Sequence, residues 1–302
     1  MIQIASLLKG KLIDIWPLLP AAIYLFTSLV LVIVYLLKLA FTHRGVFPSL
    51  TPVQQVLQDP EFSDALINSL FFVLVGTPTE LCIGILLALL IYTAPVLRST
   101  LRSFFILPMA FPGLVIASLF FILFNSQGGM VNDLLMGRYD FFPAIIETDI
   151  NWSGNRWFSL ILSMMGKVWR DMPLSMLIIL SGLNAVDVSI FDAAKTLGAG
   201  FRHRLLFIVI PLIFPAIKTV ILLRSIEMWK EFIFPYVLSG RYYLLGTLVE
   251  HYYNGFSGQP EKGSVVALIL LVCVILSLFT LLFLLQNIEK RLINRGSDAS
   301  AA

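Results

Sequence analysis

The sequence predicts an all-α polytopic membrane protein with about six transmembrane helices. Three observations carry that prediction. Only 13% of the 302 residues are charged and 58% are hydrophobic, whereas soluble domains carry about 25% charged residues. Mean hydropathy is +0.90. The apolar residues also gather into runs long enough to supply the roughly 20 residues that one helical crossing of a bilayer needs.

The first run, Ile15–Leu37, has no charge between Asp14 and Lys38. It is too long for a signal-peptide core and lacks a small-residue cleavage site, so it reads as a retained span. The second, Ala65–Leu97, contains one charge, Glu80, and suits a long tilted helix. The third is Ser103–Phe124. The fourth, Trp157–Leu183, is interrupted by Lys167, Arg170 and Asp171. The fifth, Leu205–Leu238, carries Lys218, Arg224, Glu227, Lys230 and Glu231. The sixth, Ser264–Leu285, is uncharged. These runs divide the chain into an N-terminal segment with the first span and an outer loop (1–63), a core of five spans (64–290) and a tail (291–302). Cys82 and Cys273 both fall inside apolar runs, which predicts buried packing rather than a disulfide or a metal site.

Six spans place both termini on one side, and basic residues indicate which side. With the N-terminus inside, the inner segments hold Lys9, Lys11, Arg98, Arg102, Lys195, Arg202, Arg204, Lys290, Arg291 and Arg295. The outer segments hold Arg44, Arg138, Arg156, Arg241 and Lys262. The excess predicts cytoplasmic N- and C-termini and a cytoplasmic loop at 186–206. The outer segments 39–64, 125–156 and 239–263 contain Tyr139, Trp152, Trp157, Tyr242, Tyr243, Tyr252 and Tyr253. These fit either an interfacial aromatic belt or a docking surface for an external partner.

The inner loop is the most specific part of the chain. Ser189 and Asp192 have the spacing of a capping box that opens a short helix. Ala193 and Ala194 are small enough for a partner to approach closely. Gly198 and Gly200 can turn the chain, and Arg202, His203 and Arg204 begin the return toward the membrane. The pattern Asp192-Ala193-Ala194, Gly198, then Ile208 and Pro211 resembles the EAA coupling loop of the sugar-type, maltose-like permeases of type I ABC importers. Asp192 stands where that family usually has Glu. The resemblance extends to Asn68, Gly84 and Ala88, and to Arg102, Pro108, Pro112, Phe124, Gly129 and Asn132. It continues through Trp169 and Pro173 to Glu231-Phe232 and Pro235–Ser239. It departs at Arg241-Tyr242-Tyr243, where many members have Gly-Gly-Pro.

That resemblance implies the fold of a type I ABC importer transmembrane domain, located in a bacterial or archaeal cytoplasmic membrane. It implies that Asp192, Ala193, Ala194, Gly198, Arg202, Ile208 and Pro211 couple the chain to an ATPase. The implied partners are two ATP-binding subunits, a second and non-identical permease subunit, an extracytoplasmic solute-binding protein and membrane lipid. The implied cargo is a carbohydrate or polyol. ATP and Mg are expected on the partner ATPase, and no cofactor on this chain. No Gly-x-x-x-x-Gly-Lys-Ser/Thr stretch occurs, no nucleophile is paired with a base, and a net charge of +3 is too small to suggest nucleic acid.

Ionisable residues inside a span are costly and mark functional paths. Arg224, Glu227 and Glu231 lie three to four residues apart and would share one helical face, with Lys230 at its edge. Lys167, Arg170 and Asp171 form a second set. Two readings fit them. One is a polar cavity in which Arg170, Asp171, Glu227, Lys230 or Glu231 bonds sugar hydroxyls while Trp169, Trp229 or Tyr236 stacks on the ring. The other is a structural salt-bridge network between spans four and five. A different class of function, an ion-gradient-driven secondary transporter using the carboxylates of Asp171, Glu227 and Glu231, is the alternative to the importer.

Overall fold

A computed structural model describes residues 16–94, 96–139, 142–255 and 258–301, without the side chains of residues 16, 188, 191, 192, 195, 201 and 292–301. Lys9, Lys11 and Ile15 therefore lie outside the described residues, as do the side chains of Asp192, Lys195 and Arg295. The described residues form helices joined by turns and loops. The chain divides into two compact units, one of residues 1–58 with 249–268 and one of residues 59–248 with 269–302.

In the first unit, α1 (Leu19–Ala40) is a 22-residue apolar helix with almost every side chain exposed, as a lipid-facing helix requires. A tight turn follows, with Arg44 and Gly45 both at positive φ, and leads into α2 (Thr51–Leu57).

The second unit opens with α3 (Pro60–Phe71). The Asp59 side chain accepts from the Glu61 N–H at 3.1 Å, and Pro60 takes a first-turn place where no N–H is needed. A π-helical turn at Phe72–Gly76 joins it to α4 (Thr77–Thr93), making a rod of 34 residues. Next come α5 (Arg98–Ile106), α6 (Gly113–Leu123), the short α7 (Met130–Leu135) and α8 (Arg156–Asn184). The loop after α8 holds α9 (Val188–Thr196) and α10 (Phe201–Arg204). A second π turn at Leu205–Val209 leads to α11 (Phe214–Trp229), then α12 (Ile233–Leu238). Two helices, α13 (Leu245–Asn254) and α14 (Pro260–Ala301), run across the division between the units.

The six continuous spans expected from hydropathy become something more broken. Among the described residues, only α1, the α3–α4 rod and α14 are long and apolar enough to cross a bilayer unaided, and two bent helix pairs raise the number to five. The third predicted span is bent by 91° between α5 and α6. Pro112 forces the preceding Phe111 into extended backbone, so the helix must stop. The fifth is bent by 69° ahead of α11, between Pro211 and Pro215, and ends altogether at Trp229. The fourth, α8, stays unbroken for 29 residues despite Pro173 and its three charges. Asn155 caps its start by accepting from the Trp157 and Phe158 N–H groups.

Lipid tails are as apolar as leucine, so helices in a bilayer associate through close packing and polar contacts rather than through apolar burial. Both devices join α4 to α8. A Cβ on Gly84 would lie 2.9 Å from the Ser175 Cβ and 3.1 Å from its backbone, so the two helices touch backbone to side chain. Ala88, Ile91, Met176, Ile179 and Leu183 continue that contact, joined by Val209, Ile217 and Val220. At its centre Arg224 of α11, 1% exposed, reaches Glu80 of α4, 0% exposed. Its Nε lies 2.7 Å from Glu80 Oε1 and donates to Ser175 Oγ at 2.8 Å. Its Nη2 donates to the Asp171 carbonyl at 3.2 Å. One guanidinium therefore joins three helices. Farther along, Lys218 of α11 pairs with Glu289 of α14 at 2.8 Å.

Two local expectations change. Ser189 does not cap the loop helix. Asp187 does, accepting from the Ser189 N–H at 2.9 Å, because α9 starts one residue before Ser189. Cys82 is exposed on the surface of α4 rather than buried, and Cys273 is intermediate; both are free.

Three outcomes follow. Arg224→Met leaves Glu80 buried without its partner and lowers stability in detergent by about 3–5 kcal/mol, whereas the double change Glu80→Met/Arg224→Met recovers part of the loss; thermal unfolding of the set measures the coupling. Gly84→Val pushes α4 off α8 and costs about 1–3 kcal/mol by the same assay. Asp187 is held below the usual carboxylate range by the Ser189 N–H, so its support of α9 is complete above the ordinary aspartate value and fades as pH falls through the lowered one. Asp187→Ala speeds amide exchange across 189–196 at neutral pH, and Asp187→Asn, which still caps, does not.

Candidate functional site

The charges of α8 and α11 meet around a cavity of about 270 Å³, floored by Lys167, Arg170, Asp171 and Arg224 and rimmed by Glu227, Lys230 and Glu231. The i, i+4 pair on α8 brings Lys167 Nζ to 2.5 Å from Asp171 Oδ2. Lys167 also reaches Glu231 Oε2 at 3.2 Å, and Arg170 Nη1 meets Asp171 Oδ1 at 2.8 Å. Arg224 pairs with Glu227 three residues along the same helix, as their spacing requires.

Glu231 arrives by another route than the one its spacing suggests. The helix ends at Trp229, so Glu231 lies in the link to α12 and is fixed there by its contact with Lys167 and by accepting the Phe234 N–H at 3.2 Å. Arg170, Asp171, Glu227, Lys230 and Glu231 thus line one cavity, and the predicted network between spans four and five is also present. Only Arg170 (34%) and Glu227 (24%) expose much side chain among the paired groups; Lys230 is exposed.

None of the three aromatics lines this cavity. Trp229 is buried, and its Nε1 has no hydrogen-bond partner. Trp169 faces the other side of α8, where with Phe71, Phe120 and Met172 it lines an apolar groove of about 460 Å³. Tyr236 is exposed on α12 and stacks on Phe232 at 5.0 Å. Position on a helix face placed the charges; the helix end at Trp229 and the opposite face of α8 removed the aromatics. Sequence reasoning passed over Glu80 and Ser175 as site residues. The signal for Glu80 was its isolation as the one charge in a long apolar run; Ser175 had none.

The loop after α8 forms a second surface. Ala193, Ala194, Gly198 and Ile208 line a groove of about 780 Å³ together with Ile190 and His203. Gly198 ends α9 in the left-handed conformation, φ +78°. The Ala199 N–H returns to the Ala194 carbonyl at 3.0 Å, the closing bond of a Schellman cap. A Cβ at Gly198 or Gly200 would meet nothing within 4 Å, so the space above the turn is open. Arg202 is exposed beside the groove, and Pro211 sits at its membrane end, ahead of the bend at Ile213.

The other end of the unit is held by a polar net. Asn132 is buried, donates to the Ile150 carbonyl at 3.0 Å and accepts from Trp152 Nε1 at 3.0 Å. Trp152 is thereby partly buried and packs edge-on against Phe124. Arg156 holds Asp64 at 2.7 Å and Asn68 at 2.8 Å, and Asn68 donates to the Tyr243 carbonyl at 2.7 Å.

Comparison with known proteins points the same way. Residues 80–294 match the family described as the binding-protein-dependent transport system inner membrane component. The chain is 27% identical over 238 residues to the inner membrane ABC transporter permease protein YcjO of Escherichia coli, covering 77% of this chain and 79% of that one. It is 26% identical over 249 residues to the trehalose/maltose transport system permease protein MalF of Thermococcus litoralis, covering 81% of each. Among solved structures, it matches a chain of a bacterial alginate ABC transporter in complex with a pentasaccharide-bound periplasmic protein. The TM-score is 0.80 at 16% identity, over 94% of this chain and 98% of that one, a likeness of fold. The chain belongs to the binding-protein-dependent transport system inner membrane component family, and is an integral membrane permease of an ABC importer.

Proposed function

We propose that this permease forms half of the translocation pathway for a carbohydrate or polyol, carried across a bacterial or archaeal inner membrane. The observation behind this reading is the placement of two surfaces along one helix, a cavity at the middle of α8 and a groove in the loop that follows its end. A polar cavity opens beside α8 and α11, and an open, small-residue groove follows directly from α8 in the inner loop. The names of the relatives support the cargo class, since MalF of Thermococcus litoralis serves trehalose and maltose transport.

In this reading both termini and the inner loop face the cytoplasm. Two ATPase subunits carry ATP and Mg and grip the coupling loops. This chain supplies Asp192, Ala193, Ala194, Gly198, Arg202, Ile208 and Pro211 to that contact. A second, non-identical permease completes the cavity, and a solute-binding protein loads it from outside. Arg170, Asp171, Glu227, Lys230 and Glu231 face the passing solute, while Trp169, Trp229 and Tyr236 serve packing. The permease has two packings, and ATP and loaded binding protein each favour one through differential contacts. The bends at Phe111–Pro112 and Ile213 are where such a change would be absorbed. The secondary-transporter alternative is set aside by the family match. The carboxylates it needs as ion carriers are also each held by a fixed cation.

The reading is tested by purifying the tagged chain from native membranes in mild detergent and identifying what accompanies it. An ATPase and a second permease are expected; the chain alone, transporting without ATP, overturns the reading. Within the purified assembly, Gly198→Val forces a branched side chain into left-handed backbone, at about 1–2 kcal/mol, and blocks the groove. Uptake is expected to fall roughly tenfold or more while ATP hydrolysis persists and the membrane helices keep their unfolding temperature. Normal uptake in that variant rejects the coupling role.

A further inference from the structure

The charged cavity lining is Lys167, Arg170, Arg224 and Lys230 against Asp171, Glu227 and Glu231, with Glu80 lying behind it on Arg224. Their pairing is unequal. All four carboxylates have a cation. Glu80 and Glu227 sit on Arg224, Asp171 holds Lys167 and Arg170, and Glu231 holds Lys167 with its other oxygen taken by the Phe234 N–H. Two of the cations are left with capacity. Lys230 pairs with no carboxylate among the described residues, and Arg170, which meets Asp171 through Nη1, keeps about a third of its side chain exposed.

Depth sharpens the difference. Glu80, Asp171 and Glu231 are buried, whereas Lys230 is exposed at the rim and Arg170 lies half-buried beneath it. A solute entering the cavity therefore meets Lys230 and Arg170, with Glu227, already paired to Arg224, as the accessible carboxylate. A neutral sugar, whose hydroxyls donate as well as accept, would leave Lys230 without a counter-charge in a site withdrawn from water, where an unpaired charge is costly. A cationic solute would meet the two unsaturated cations directly. A solute carrying an oxyanion supplies what the wall lacks, by charge-assisted bonds to Lys230 and to the Arg170 fork.

We infer that the solute of this cavity is a sugar bearing an anionic group, a carboxylate or its equivalent, gripped by Lys230 and Arg170. This rests on the importer reading above and narrows its cargo. The volume of about 270 Å³ sits at the low end for ligand sites, in keeping with one sugar unit seated against one half of a shared pathway.

The test compares methyl glucuronide with methyl glucoside, which differ in a carboxylate against a hydroxymethyl group. Binding to the purified importer assembly in nanodiscs is read by the shift in its unfolding temperature over a range of sugar concentrations. The glucuronide is expected to bind at least tenfold more tightly than the glucoside, and to weaken as salt is raised. Lys230→Gln is expected to weaken the glucuronide by about tenfold or more and so to remove most of its advantage over the glucoside, with Lys230→Arg retaining the preference. Equal binding of the two sugars, binding of neither, or a glucuronide affinity unmoved in Lys230→Gln overturns the inference while leaving the importer reading intact. Loss of the second permease from the Lys230→Gln assembly also overturns it, since the missing counter-charge would then come from that subunit. Absence of an ATPase from the wild-type assembly strikes the importer reading instead, whichever sugar binds.

Discussion

The arrangement of the core depends on one guanidinium. Arg224 is withdrawn from solvent and held between Glu80 of α4, Ser175 and the Asp171 carbonyl of α8, and Glu227 of its own helix. A charge in that position is tolerable only if its neighbours satisfy it, and the same contacts that satisfy it fix the spacing of three helices. Apolar burial cannot do this in lipid, where leucine against leucine gains little over leucine against an acyl chain. The Gly84–Ser175 approach belongs to the same constraint. It brings α4 close enough for Glu80 to reach Arg224, and it places Ser175 where its hydroxyl can serve both.

The cavity follows from that centre. Lys167, Asp171 and Glu231 extend the pairing from the buried core toward the cavity, so the solute-facing groups stand on a fixed electrostatic base rather than on mobile chains. This is the preorganisation that binding sites need, with side chains already held by their neighbours. It also explains why so many charges persist in a segment that hydropathy would rather see apolar. They are partly the fastening of the bundle and partly the lining of its cavity, and Arg170, Asp171 and Glu227 take part in both.

Much of this was legible in the sequence, unevenly. Hydropathy located the three long apolar helices and both bent pairs, because the composition of a run reports its solvent, whereas the fourth predicted span, α8, is a helix that carries too much charge to count among them. It missed the bends at Phe111–Pro112 and Ile213 because a window average is blind to direction, although Pro108, Pro112, Pro211 and Pro215 were visible as breakers. Spacing of three residues correctly paired Arg224 with Glu227, since local geometry decides it. The same argument failed past Trp229, where the helix stops and face counting has no meaning. Glu80 and Arg224 are 144 positions apart in the chain, and nothing local couples them. The loop turn at Gly198 was read correctly from residue type, because only the missing Cβ makes that backbone comfortable. Its cap was misread by two residues, since Asp187 and Ser189 are both good caps and only the start of the helix chooses between them.

The uninterrupted length of α8 has a mechanical meaning. At 29 residues it is a stiff rod of about 43 Å, tied near its first residue by Arg156 to Asp64 and Asn68 and at its last by Asn184 to Arg98. The α5–α6 pair and the approach to α11 are jointed; this helix is not. A rod pivoting about one end through about 10° carries the other end roughly 7 Å. The charged triplet, near the middle, travels about half as far in the same direction. In the proposed importer a push at the loop becomes a displacement of fixed sign at the cavity, and the ion pairs there are remade together. On that reading the helix is a crank whose throw is set by its length.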